Sequence, residues 1–289
     1  MAEQTKTLPR IPDAHAWLRV KKKFPHLWCP GCGIGIVLGA TLRTLETLGY
    51  DKDDVVMVSG IGCTGRIPVY VDCNTLHTTH GRALTFATGI KLAKPNLKVI
   101  TFMGDGDALA IGGNHFIHAA RRNIDITAII VNNAIYGMTG GQSSPTTPLG
   151  MKASTAVYGS IEPPFDACEL AKSAGATFVA RSTVYHVKHC EQMIKQGLEH
   201  HGFSVIEIIS NCHTYYGRIN KLGEPIDMLN AMKDKSVILT PDLDVQKAKA
   251  SGKEYILGVL HRDTERPEYC DLYEKIISSA NGGQRSNEG

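Results

Sequence analysis

Short apolar runs alternate with longer amphipathic stretches along most of the chain. Val55-Val56-Met57-Val58, Val99-Ile100-Thr101-Phe102 and Ile126 to Val131 read as strands, closed by Gly60, Gly104 and Asn132-Asn133. Ala176 to Ala180 and Ser204 to Ile209 read as two more. Successive positions in these runs are apolar rather than alternating, as in strands covered on both faces. Helical patterns fill the gaps at Ile34 to Leu48, Ala83 to Leu92, Ala108 to Ala120, Phe165 to Ala174 and Val184 to Leu198. In the first of these, Val37, Leu38, Leu42 and Leu45 share one face. Strand–helix alternation of this kind predicts an α/β fold, a mainly parallel sheet with helices on both faces.

Two stretches lack this order. Residues 134–164 are dense in Gly, Pro, Ser and Thr without a clear period, which predicts a functional or disordered loop. After about Arg218 the pattern weakens. The chain therefore divides into an α/β domain at 1–217 and an irregular C-terminal extension at 218–289, with a disordered tail from about Asn281.

Composition narrows the function classes. The chain has 289 residues, 31 basic and 28 acidic side chains and a net charge of +3. That balance does not suggest nucleic acid, and no basic block extends beyond Lys21-Lys22-Lys23. No apolar run approaches the roughly 20 residues of a membrane helix. The segment Met1 to Trp17 lacks the apolar core of a signal peptide. The expected location is the cytoplasm, where the eight cysteines would serve metal or redox chemistry rather than disulfides.

The informative polar residues fall just after the predicted strands, where open parallel sheets bind ligands. Gly104-Asp105-Gly106 closes one strand and opens a helical pattern. Glycines there let backbone N–H groups approach a phosphate, aided by the helix dipole. A carboxylate at that spot repels phosphate unless a cation lies between them, so Asp105 points to Mg²⁺. Asn133 lies 28 residues further on, close to the roughly 30 residues of one βαβ unit, which places it beside Asp105. Taken singly, each motif is a turn more often than a site.

Cys29-Pro30-Gly31-Cys32 before a helix has three readings. It can be a thioredoxin-like dithiol, half of a zinc site, or part of an iron–sulfur cluster completed from distant loops. Cys63 and Cys212 sit at strand–loop junctions on the same edge as Asp105. Cys168 and Cys190 lie in helical patterns, Cys270 in the weak C-terminal region, and Cys73 in a loop without assignment. A lone buried cysteine is usually a small hydrophobe.

Gly104-Asp105-Gly106, 26 intervening residues and Asn133 resemble the thiamine diphosphate motif of thiamine-dependent enzymes. That resemblance implies Mg²⁺ held by Asp105, Asn133 and the backbone carbonyl of Ile135. Cys29-Pro30-Gly31-Cys32-Gly33, Gly60-Ile61-Gly62-Cys63, Thr79-His80-Gly81-Arg82, Gly104-Asp105-Gly106-Asp107 and Tyr136-Gly137-Met138-Thr139-Gly140-Gly141-Gln142 occur together. The set is similar to the β subunits of 2-oxoacid:ferredoxin oxidoreductases over roughly residues 15–280. Cys212-His213-Thr214-Tyr215-Tyr216-Gly217-Arg218-Ile219-Asn220-Lys221 is most like the 2-oxoglutarate-specific members.

The resemblance implies a thiamine diphosphate-binding fold. It also implies that Cys29, Cys32, Cys63 and Cys212 hold one [4Fe–4S] cluster. The implied reaction is coenzyme A-dependent oxidative decarboxylation of 2-oxoglutarate to succinyl-CoA and CO₂, or its reverse, with electrons passing through the cluster to ferredoxin. By the same resemblance, Gly62, Cys63 and Thr64 approach the cofactor, as does His80. Gly137 and Met138 contact the diphosphate, and Asp107 either binds near it or caps the helix. Arg66 is placed to meet a substrate carboxylate, since guanidinium geometry suits bidentate pairing, although a surface arginine is an equal reading. His115 and His118, at i and i+3, lack a third ligand and read as packing or cap residues. The glutamate that thiamine enzymes need comes in this family from a separate α subunit. The expected assembly is therefore a heterodimer, or a dimer of heterodimers, with an apolar partner surface near the strand ends. No second ferredoxin-like cysteine run is present, so electrons would leave to an external ferredoxin.

Rival readings separate cleanly. Pyruvate or broad 2-oxoacid specificity is decided by a substrate panel. A cluster-free thiamine-dependent decarboxylase would hold no iron. A thioredoxin-like dithiol at Cys29 and Cys32 would leave Asp105 and Asn133 unexplained, and a zinc-stabilised module would bind zinc but not thiamine.

Overall fold

The structure, a computed structural model, describes residues 13–19 and 25–284. Lys21-Lys22-Lys23 and most of the Met1–Trp17 segment lie outside the described residues. In chain order the first elements are α1 (Ile34–Leu48), β1 (Val55–Ser59), β2 (Asn74–His77), α2 (Ala83–Ala93), β3 (Lys98–Gly104) and α3 (Gly113–Arg122). Next come β4 (Thr127–Asn132), a small hairpin of β5 (Ile135–Tyr136) and β6 (Gln142–Ser143), α4 (Ala167–Ala174), β7 (Phe178–Thr183), α5 (Val187–Glu199) and β8 (Ser204–Ile209). The chain closes with α6 (Pro225–Asp234), β9 (Ser236–Ile238), α7 (Val245–Ala250), β10 (Tyr255–Arg262) and α8 (Tyr269–Gln284).

Eight strands form one sheet in the order β2-β1-β3-β4-β8-β7-β10-β9. The first six are parallel; β10 runs antiparallel to β7, and β9 runs parallel to β10. Their consecutive apolar positions are buried because each strand feeds two cores. Met57, Ile100, Phe102, Ile129 and Ile206 face α1 and α5, where Val37, Leu42, Ile194 and Leu198 meet them. Val58, Met103, Ile130 and Val205 face α2, α3 and α4, against Leu84, Phe116 and Ala171. Full burial of side chains this size contributes about 1.5–3 kcal/mol each. The α/β sheet with helices on both faces is therefore as the apolar pattern predicted.

Three expectations need correction. The C-terminal stretch is not irregular. Its apolar Ile256 and Leu257 are buried in β10, which extends the sheet beyond β7, and Tyr269 and Cys270 of α8 pack against the second core. The tail expected to be disordered from Asn281 is helical to Gln284, and residues 285–289 lie outside the described residues. The expected helix from Ala108 to Ala120 is two elements. A π-helical turn occupies Gly106–Ile111, and α3 restarts after Gly112. Such π segments cluster at functional sites.

The 134–164 segment is held by backbone bonds rather than left loose. Ser154 N–H donates to Gly141 O at 2.7 Å, Gly150 N–H to Ser160 O at 2.8 Å, and Phe165 N–H to Pro145 O at 2.8 Å.

Candidate cofactor and cluster site

Strands β1, β3, β4 and β8 are parallel and adjacent, so their carboxyl ends share one edge. That edge gathers Gly60–Cys63, Gly104–Asp107, Asn132–Ile135 and Ser210–Cys212.

Asp105 is 2% exposed and has no ion-pair partner among the described residues. Burial pushes its carboxyl pKa up, against the Ser144 and Thr146 hydroxyls and the Asn133 N–H that stabilise the carboxylate. The Thr146 hydroxyl lies 2.6 Å from Asp105 Oδ2. A buried carboxylate without a counter-charge is costly, and a bound divalent cation would supply that charge. Asn133 is next to it, and its Oδ1 accepts the Ile135 N–H at 3.3 Å. Carboxylate, amide oxygen and the Ile135 carbonyl make an all-oxygen donor set, which suits Mg²⁺. Gly106 is required sterically: a Cβ there would lie 2.2 Å from the Tyr136 ring. Tyr136 OH in turn donates to Gly106 O at 3.2 Å.

Asp107 does not cap its own helix. Its Oδ1 accepts Gly81 N–H at 2.7 Å and Ile61 N–H at 3.3 Å, and lies 2.6 Å from His80 Nδ1. Its Oδ2 is buried without a partner among the described residues, leaving an acceptor for a donor from a bound ligand. Burial raises its pKa, opposed by the Gly81 N–H and His80. His80 is thereby fixed at the site's rim, its ring 6.1 Å from that of Tyr136.

Cys29, Cys32, Cys63 and Cys212 converge although 183 residues separate the first from the last. Each thiol is close enough to the other three to interact electrostatically. Burial is the main influence on three of them. It pushes Cys32 up to about 12, Cys63 up to about 11, and raises Cys212. Backbone N–H groups point at the sulfurs, from Ile34 to Cys32 and from Tyr215 and Tyr216 to Cys212. Donors of this kind tune iron–sulfur clusters.

Residues that the sequence did not single out hold this arrangement. Asn211, 1% exposed, donates from Nδ2 to Gly31 O at 2.9 Å and accepts Gly33 N–H at 3.0 Å. It clips the Cys29–Cys32 loop to the end of β8, one residue before Cys212. Gly33 allows that approach, since a Cβ there would sit 2.5 Å from Ser210 Oγ. Trp28 Nε1 donates to Cys63 O at 2.8 Å, tying the Cys63 loop to the same segment. Asn211→Ala leaves the buried Gly33 N–H unpaired, at about 1–3 kcal/mol, and frees the part-buried Gly31 carbonyl. Expected is a thermal midpoint lower by several degrees, read by melting; were the four thiols to hold an iron–sulfur cluster, its visible absorption should also decay faster in air.

The remaining expected positions sit around these two groups. Gly62 has φ +115°, a conformation that favours glycine and turns the chain into Cys63. Thr64 is buried at the start of a 3₁₀ turn, Thr64–Tyr70. Arg66, in that turn, is half-buried beside His77 and makes no ion pair among the described residues. A Cβ on Gly137 would lie 3.3 Å from Cys212 Sγ and 3.9 Å from Cys63 Sγ, so this backbone touches the thiol group. Met138 is exposed. His115 and His118 lie on α3, where His118 Nδ1 accepts Arg121 Nε at 3.3 Å. Cys168, Cys190 and Cys270 are buried in the cores, and half-buried Cys73 packs against the first core.

Residues 60–208 match the thiamine pyrophosphate enzyme C-terminal TPP-binding domain. A 2-oxoglutarate synthase subunit KorB from Methanothermobacter marburgensis is 50% identical over 91% of this chain and 91% of its own. Subunit β of 2-oxoacid:ferredoxin oxidoreductase 2 from Aeropyrum pernix is 37% identical, covering 91% of this chain and 89% of its own. The solved 2-oxoglutarate:ferredoxin oxidoreductase from Magnetococcus marinus, with 2-oxoglutarate, coenzyme A and succinyl-CoA bound, superposes with a TM-score of 0.84 at 34% identity. That match covers 93% of this chain and 90% of the other. The chain belongs to the thiamine-dependent family of 2-oxoacid:ferredoxin oxidoreductase β subunits.

Proposed function

We propose that this chain is the cofactor- and cluster-bearing β subunit of a 2-oxoglutarate:ferredoxin oxidoreductase. It would act with coenzyme A to interconvert 2-oxoglutarate and succinyl-CoA plus CO₂. The observation that carries this reading is one strand edge on which the uncompensated Asp105 carboxylate, Asn133 and four mutually interacting cysteine thiols meet. Thiamine diphosphate supplies the reactive carbon and electron sink, and the protein supplies geometry and electrostatics.

Each residue's part comes from its place. Asp105, Asn133 and the Ile135 carbonyl would hold Mg²⁺. The Gly104–Gly106 backbone, Gly62, Thr64, Gly137 and Met138 would line the diphosphate path. Asp107 holds His80 at Nδ1, so the other ring nitrogen, Nε2, is left to meet a ligand. Cys29, Cys32, Cys63 and Cys212 would hold one [4Fe–4S] cluster, close enough to the cofactor for direct electron transfer because Gly137 adjoins two of its sulfurs. Electrons would then leave to a ferredoxin. The Arg66 guanidinium, which makes no ion pair among the described residues, suits a substrate carboxylate.

The α subunit would dock on the same edge. The 134–165 segment, which reaches Asp105 through Thr146, exposes Leu149, Val157, Tyr158, Ile161 and Phe165. Contiguous exposed apolar groups of this kind mark protein partners. No helix among the described residues is long and apolar enough to cross a membrane, and the cytoplasm remains the proposed location.

The test is co-purification with the α subunit under anaerobic conditions, with turnover then measured on a 2-oxoacid panel with coenzyme A and a one-electron acceptor. The expected result is turnover of 2-oxoglutarate at least about tenfold above pyruvate in kcat/KM, or 1.4 kcal/mol of discrimination. Equal or better turnover of pyruvate would overturn the substrate assignment, and absence of thiamine-dependent turnover with every 2-oxoacid would overturn the function.

A further inference from the structure

Glu207 is a charged residue in the middle of a buried strand, 2% exposed. Its register explains how it is tolerated: in the sheet it lies directly beside Arg181 of β7, whose Nε donates to Glu207 Oε2. Arg181 Nη2 also reaches Asp166 Oδ1 at 2.6 Å, at the cap of α4. The other Glu207 oxygen, Oε1, is used differently. It accepts Asn132 Nδ2 at 2.8 Å.

That bond fixes which way the Asn132 amide points. With its NH₂ against a carboxylate, the amide oxygen must face the turn after β4. There it accepts Ala134 N–H at 3.1 Å and lies 2.9 Å from the Thr146 hydroxyl. The turn is strained: Ala134 has φ +60°, a conformation that a residue with a Cβ seldom adopts. Thr147 helps from the other side, donating to Ala134 O at 2.7 Å. The residues flanking Ala134 are Asn133 and Ile135, two of the proposed metal donors. The same Thr146 hydroxyl is 2.6 Å from Asp105, the third.

We propose that Glu207 is a positioning residue for the metal site, orienting the Asn132 amide so that it holds the strained Asn133–Ile135 turn and, through Thr146, the Asp105 carboxylate. This rests on the reading of Asp105, Asn133 and Ile135 as Mg²⁺ donors. Glu207 contacts neither metal nor substrate. It acts by removing the alternative amide orientation, which would put two donors, the Asn132 NH₂ and the Ala134 N–H, face to face.

The experiment titrates Mg²⁺ by calorimetry into the enzyme with its partner subunit, stripped by chelation and supplied with saturating thiamine diphosphate. Glu207→Gln keeps the shape but turns one acceptor into a donor. Its remaining oxygen faces the Arg181 guanidinium, so Asn132 loses its fixed orientation. The expected result is Mg²⁺ affinity ten- to hundredfold weaker, the range seen for groups that orient metal ligands. Asp166→Asn loosens the far end of the same network without touching Asn132, and its Mg²⁺ affinity should stay within about twofold of the parent's. An unchanged affinity in Glu207→Gln, or an equal loss in Asp166→Asn, overturns the proposal, because either outcome makes Glu207 a fold-stabilising charge only. If Glu207→Gln does not fold, Thr146→Val removes the link between Asn132 and Asp105 and decides by the same numbers. Asp105→Asn, titrated alongside, separates the two levels. If it binds Mg²⁺ normally, the metal reading itself fails; if it does not bind and Glu207→Gln does, only the positioning role fails.

Discussion

Asp105→Asn should weaken Mg²⁺-dependent binding of thiamine diphosphate by more than about a hundredfold, some 2.7 kcal/mol, while the cluster's absorption spectrum stays as it was. The substitution removes one negative charge and one strong oxygen donor at the carboxyl end of β3 and changes little in shape. Asp105 carries no ion pair among the described residues, so its charge balances no cationic side chain that the substitution would strand. Linkage gives a second readout. Burial raises the Asp105 pKa in the folded chain, so the folded state binds this proton more tightly than the unfolded state does. The metal-free protein therefore loses stability as pH rises past the unfolded carboxyl value of about 3.9. An amide has no such dependence. At neutral pH the metal-free Asp105→Asn protein should melt no lower than the metal-free parent, and Mg²⁺ with thiamine diphosphate should raise the midpoint of the parent alone. Retained Mg²⁺-dependent activity, or a midpoint that still rises with Mg²⁺, would remove Asp105 from the metal site.

The residues that were legible in the sequence are those whose role depends on position along one strand. Asp105 and Asn133 come directly after apolar runs that could only be strands buried on both faces, and parallel topology then puts them side by side. The β8 run was readable from Ser204 to Ile209 and α1 from Ile34 to Leu48, each with sharp boundaries. Glu207 was invisible for the opposite reason. Inside an apolar run it looks like an exception, and only the register that sets it beside Arg181 and below Asn132 gives it work. Thr146 and Asn211 act across 41 and 180 residues of chain, on Asp105 and Gly31, and a hydroxyl or amide in a loop carries no periodic signal. The C-terminal elements were missed because α7 is six residues long and lysine-rich, and because β9 is a short edge strand. At β2, which opens on Asn74 and closes on His77, the edge position leaves polar side chains at both ends of the strand. The helix expected from Ala108 was broken by Gly112, where the carbonyls of Asp107 and Ala108 crowd so closely that a Cβ would lie 2.3 Å from the former.

Cys212→Ser should empty the cluster and stop electron delivery, with iron falling from about four atoms per chain to a small fraction of that and the absorption and EPR signals lost with it. Cys212 comes after β8 and enters a π-helical turn, His213–Gly217, whose N–H groups of Tyr215 and Tyr216 point at its sulfur. As a cluster ligand it would join the far end of the chain to the Cys29–Cys32 loop, through the neighbouring Asn211 clip. A serine hydroxyl is a hard donor that loses its proton far less readily than a thiol, whereas iron–sulfur chemistry selects soft thiolates. The substitution leaves Asp105 and Asn133 untouched, so Mg²⁺ and thiamine diphosphate should bind as in the parent. The expected enzyme therefore holds its organic cofactor but reduces a one-electron acceptor at no more than about a hundredth of the parental rate. Cys168→Ser, in a buried position away from the four thiols, should keep its iron and EPR signal. A Cys212→Ser protein that keeps both would show that the fourth ligand lies elsewhere, and a Cys168→Ser protein that loses both would show that general destabilisation, not ligation, governs cluster retention.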